Sequence, residues 1–196
     1  MAEVDWLNAG ISLCSAGIGA WAAIASTKRS LEHSLAMARQ ESKEQEKALI
    51  LSLRDEMAIL AERFKSGVGS HLDKLEAGEP FERFFPVDLD YFTIYRSNGA
   101  LIGRIENNEL RKAIIQAYTR VMGVVDSFRY NNRLISALEA AQKEQIASAT
   151  INFRLIAGDR RRQLTDYAPI LKSAVADAET HVENMMKKIA EFEAKK

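Results

Sequence analysis

Side chains that do chemistry must reach one another, and this chain offers few that plausibly do. Its three histidines, His33, His71 and His181, fall on separate stretches, and its one cysteine, Cys14, lies inside an uncharged run. A single cysteine excludes an internal disulfide framework and a cysteine-based zinc site, and fits a reducing compartment. Asp88 and Asp90 alternate in a loop-like stretch with no third ligand, a pattern that reads as solvated acids rather than a metal or acid-base pair. His71 near Asp73 reads as a surface pair, and neither a glycine-rich phosphate loop nor a nucleophile elbow occurs. The expectation is a protein that is not an enzyme and takes no cofactor or metal.

The elements that position these residues are set by composition. The 196 residues are 28% charged and 47% hydrophobic, which rules out wholesale disorder and a polytopic membrane protein. With 27 basic and 27 acidic residues the net charge is zero, so no nucleic-acid partner is expected. Three prolines and ten glycines leave long uninterrupted stretches, which favours helices.

From Trp6 to Thr27 the chain carries no charge, which matches a membrane-spanning helix in length although glycines and serines dilute its apolar residues. Glu3 and Asp5 precede this run and Lys28 and Arg29 follow it, placing the body on the cytoplasmic side. Ser12, Ala16 and Ala20 recur at four-residue spacing, with Ser15, Gly19 and Ala23 as an adjacent ridge. Small residues so placed let two spans pack closely, so a homo-oligomer or a membrane-protein partner is expected.

Residues 28–66 contain no proline or glycine and interleave basic with acidic residues, as a solvated helix does. Within them Ile50, Leu53, Met57, Leu60 and Phe64 form a coiled-coil-like seam, whereas RQESKEQEK from Arg39 to Lys47 has no apolar residue and reads as a stalk. Gly67 and Gly69 interrupt the pattern, and Gly78-Glu79-Pro80 ends it. Phe81, Phe84, Phe85, Tyr91, Phe92 and Tyr95 then crowd into one connection, with Asn98-Gly99 read as a turn. The favoured reading has these rings plug the end of a helical bundle. The rival reading makes Phe84, Phe85, Tyr91, Phe92 and Tyr95 a docking surface.

A third helix is expected over 107–157, with Leu110, Ile114, Ala117, Val121, Val124, Phe128, Asn131, Ile135 and Leu138 as its seam and Ile146, Ala149 and Phe153 extending it. Asn131 on that seam either fixes register or bonds locally. The turn to the last helix is placed between Gly158 and Pro169, and the final seam is Leu171, Ala174, Ala178, Val182, Met185, Ile189 and Phe192. Arg160, Arg161 and Arg162 would then sit at the turn beside Lys28 and Arg29, a basic cluster facing membrane lipid.

The run FFPVDLDYFTIYRSNGALIGRI, followed by ELRKAIIQAYTRVMGVVDSFRYNN, resembles a segment of uncharacterised bacterial and prophage-associated proteins with one membrane span and a helical stalk. The matching positions are Tyr91, Phe92, Tyr95, Asn98, Ile102, Gly103, Leu110, Arg111 and Tyr118, within residues 81–133. The resemblance implies a bacterial inner-membrane setting and carries no activity with it.

The fold expected is all-α: an N-terminal transmembrane helix (1–27), a helical stalk (28–76), an aromatic-rich connection (77–106) and two long helices (107–196) completing an elongated antiparallel hairpin or bundle with coiled-coil character. The function expected is that of a membrane-anchored helical interaction, scaffold or regulatory protein. The alternative is a membrane-acting prophage or phage-defence effector whose span oligomerises.

Overall fold

The computed structural model describes residues 6–87, 89–148 and 151–194, with side chains described over 26–87, 90–147 and 154–194. In chain order the elements are α1 (Trp6–Phe64), a π-helical turn (Lys65–Gly69), α2 (Ser70–Asp73), a 3-10 turn (Leu89–Tyr91), α3 (Thr93–Ser97), α4 (Gly99–Ile102), α5 (Asn108–Ser148) and α6 (Ile151–Ala194). Most of the described residues are helical and none of them is in a strand, so the fold is all-α.

Two compact units divide the chain at Lys47 and Ala48. The first consists of helical backbone of α1, and every residue from Ser26 to Gln45 is exposed, Leu31, Leu35 and Met37 included. The side chains of residues 6–25, those of Ser12, Ala16, Gly19, Ala20 and Ala23 among them, lie outside the described residues. Among the described residues no helix is long and apolar enough to cross a membrane.

The second unit is a three-helix bundle with its connection packed on one flank. The seam read from 3-4 spacing is its core: Ile50, Leu53 and Met57 of α1 meet Leu110, Ile114, Ala117 and Tyr118 of α5 and Met185 and Ile189 of α6, all but inaccessible to water. A second cluster joins Val68, Leu72 and Phe81 to Val124 and Phe128 of α5 and to Leu171 and Val175 of α6. A third, of Leu134, Ile135, Leu138, Ala157 and Leu164, closes the α5–α6 hairpin.

One expectation is overturned here. α5 ends at Ser148 and α6 begins at Ile151, so α5 is shorter than 107–157, and Gly158 and Pro169 both lie inside α6. Ile146 does not extend the seam; it is 85% exposed. Gly158 has open space where a Cβ would stand, and Pro169 is exposed, so both fit the outward side of a helix whose inner face, Leu164, Ala168 and Leu171, stays continuous. Packing of that face outweighs the intrinsic cost of proline in a helix, about 3 kcal/mol. Asn98-Gly99 is likewise not an isolated turn: Gly99 opens α4 directly after α3.

Candidate functional site

The connection is held by polar side chains reaching out of the helices. Glu56, 9% exposed on α1, accepts the backbone N–H of Ile94 at 2.7 Å and of Tyr95 at 3.2 Å, satisfying amides in the first turn of α3. Its Oε2 also accepts the Tyr118 hydroxyl at 2.8 Å, and that hydroxyl lies 3.1 Å from the Leu53 carbonyl. Burial and the neighbouring carboxylate push the Tyr118 phenol far above its ordinary pKa. Tyr95 stacks on Tyr118, with centroids 4.1 Å apart.

Asn131 and Asn132 fasten the preceding segment. Asn132 Nδ2 donates to the Phe85 carbonyl at 2.7 Å while its Oδ1 accepts the Phe85 N–H at 3.2 Å, standing in for a neighbouring backbone. Asn131 donates to the Phe81 carbonyl at 3.2 Å, and its Oδ1 is buried without a partner. On α6, Lys172 Nζ donates to the Leu75 carbonyl at 2.6 Å.

These anchors leave a cleft of about 380 Å³ walled by α1, the connection, α5 and α6. Its floor is Met57, Phe92, Val124, Val125, Phe128, Val175 and Ala178, with Phe64 and Phe85 on its sides. The rings meet edge to face: Phe64 with Phe128 at 5.8 Å and Phe85 with Phe128 at 5.3 Å. Gly67 admits the Phe85 ring, whose edge stands 3.0 Å from where a Cβ would be. At the mouth the exposed Arg63 stacks its guanidinium 4.5 Å above the Tyr91 ring and donates to the Tyr91 hydroxyl at 3.2 Å. Lys65, Glu179 and Glu183 complete the rim.

Of the rings named from sequence as a docking set, Phe85, Tyr91 and Phe92 line this cleft, Tyr95 turns to Tyr118, and Phe84 is 59% exposed. Phe81 and Phe92 are core residues. Of the basic set, Lys28 and Arg29 are exposed on α1. Arg160 donates to Gln163, Arg161 pairs with Glu82 of the connection at 3.2 Å, and Arg162 is exposed. All three arginines lie within α6 rather than at the expected turn, since the reversal precedes them. The sequence reading placed Val124 and Ala178 on helix seams without foreseeing a cleft there, and it did not name Val125, Val175 or the rim acids Glu179 and Glu183. The available signal was small side chains on α5 and α6 at the level where Gly67 and Gly69 break the seam of α1. Among the described residues no group of three His, Cys, Asp or Glu is placed to hold a metal ion.

Compared with protein-family models, curated proteins and solved structures, the chain matches none.

Proposed function

We propose that the chain is a membrane-anchored helical interaction protein, with the uncharged N-terminal run as its anchor at a bacterial inner membrane and the three-helix bundle as a cytoplasmic head. The observation that carries this reading is the exposed stretch of α1 from Ser26 to Gln45. An isolated helix of about that length is marginal in water, and Leu31, Leu35 and Met37 stand solvated upon it. A helix with apolar side chains and nothing packed on them is suited to pairing with another helix, either a second copy or a membrane-protein partner.

The test is membrane extraction at alkaline pH, combined with cross-linking in cells from a photoreactive residue at Leu31 or Leu35. Retention of the full chain in the membrane pellet and one discrete cross-linked product are the expected results. Release into the soluble fraction removes the anchor, and a diffuse smear without a discrete product removes the pairing.

A further inference from the structure

The cleft has a use that needs neither the anchor nor a partner helix. Its volume of about 380 Å³ falls in the range of small-molecule sites, roughly 300 to 1,000 Å³. It is lined by residues of three helices and the connection, and stands partly open to solvent. The charges are divided by helix. The rim cations come from the last turn of α1, Arg63, and the π-helical turn that follows it, Lys65, and both rim carboxylates, Glu179 and Glu183, come from one face of α6 at i and i+4. Among the described residues Lys65, Glu179 and Glu183 have no hydrogen-bond or ion-pair partner. Among the described residues the Arg63 guanidinium meets Tyr91 alone, which leaves most of its five N–H donors unused.

An apolar cleft whose rim carries cations from one segment and carboxylates from another is complementary to an amphiphile bearing both charges. We propose that the cleft binds a zwitterionic single-chain amphiphile, with the acyl chain over the half-buried Leu60, Phe64, Phe85 and Val121, a phosphate at Arg63 and Lys65, and an ammonium at Glu179 and Glu183. A purely anionic amphiphile leaves the two glutamates unpaired, and a purely cationic one leaves Lys65 unpaired.

The experiment uses the full chain in phosphatidylglycerol vesicles, which lack an ammonium. Four probes carry a photoreactive group at the chain end: lysophosphatidylethanolamine, lysophosphatidate, an alkylamine and a monoacylglycerol. Peptide mapping after irradiation should place the label on residues 57–65, 121–128 or 175–183. The zwitterion should label about fivefold more than the neutral probe, the scale of one surface ion pair at about 1 kcal/mol, and more than either singly charged probe. Val121→Trp, which fills the cleft from its half-buried side, should remove most of the label. Glu183→Lys, an exposed change that leaves the core intact, should abolish the zwitterion's advantage over lysophosphatidate. Equal labelling by the neutral probe overturns the proposal, as does an advantage that survives Glu183→Lys. Label confined to other residues overturns it too.

Discussion

Glu56 shows how much one side chain can organise. It serves two backbone amides of α3 and a phenol of α5; the two amides are left stranded if the carboxylate goes, while the phenol keeps the Leu53 carbonyl. Glu56→Gln turns an NH2 toward one of these donors, so stability in chemical denaturation should fall by about 1 to 3 kcal/mol, the cost of an unsatisfied buried donor. Tyr118 brings a pH dependence whose sign follows from its raised pKa. Above about pH 10 the phenol ionises in the unfolded chain and not in the fold, so the unfolded state binds fewer protons and stability declines as pH rises. Below that pH the contribution is fully present. Urea titrations between pH 8 and 11 should show this decline in the native protein and a flatter profile in Tyr118→Phe; parallel profiles would assign the alkaline loss to other groups.

Among the elements, the connection and α6 carry the sharpest tests. Phe92 is 1% exposed and sits under both the cleft and Tyr118, so Phe92→Ala should cost about 3 to 5 kcal/mol. Tyr91 contacts Arg63 at an exposed rim, so Tyr91→Ala should cost less than about 1 kcal/mol. Melting temperatures of the two variants check the contrast, and a similar loss in both would mean that Tyr91 is core. Pro169 is exposed within α6, where proline costs about 3 kcal/mol against alanine, so Pro169→Ala should raise the melting temperature. The seams of α1, α5 and α6 were readable because burial repeats with the helical period, and Ile50, Leu53, Met57, Leu110, Ile114, Leu171 and Met185 are all buried where spacing placed them. The turn was misplaced because Gly158 and Pro169 are strong local breakers, whereas Ala157, Leu164, Ala168 and Leu171 bind α6 to its neighbours across both. The cleft was hidden for a different reason: a position on the seam marks a side chain as inward, but not whether the facing helices fill the space between them.

The two units should differ in their resistance to attack. From Ser26 to Gln45 every residue is exposed, while Leu49 and Ile50 begin the core, so brief proteolysis of the detergent-solubilised chain should cut between them and leave a resistant fragment starting near residue 48. Mass spectrometry of the fragment checks this; cutting first within α5 or α6 would contradict it. The network around Glu56 also bears on synthesis. Leu53 and Tyr118 are 65 residues apart, and Arg54 donates to Glu193 across 139. At about 5 to 20 residues per second, α1 leaves the ribosome roughly 3 to 13 s before Tyr118 and roughly 7 to 28 s before its contacts on α6 exist. For that interval Ile50, Leu53 and Met57 have no native cover, so the nascent chain is most in need of a chaperone early, well before its last helix has been translated.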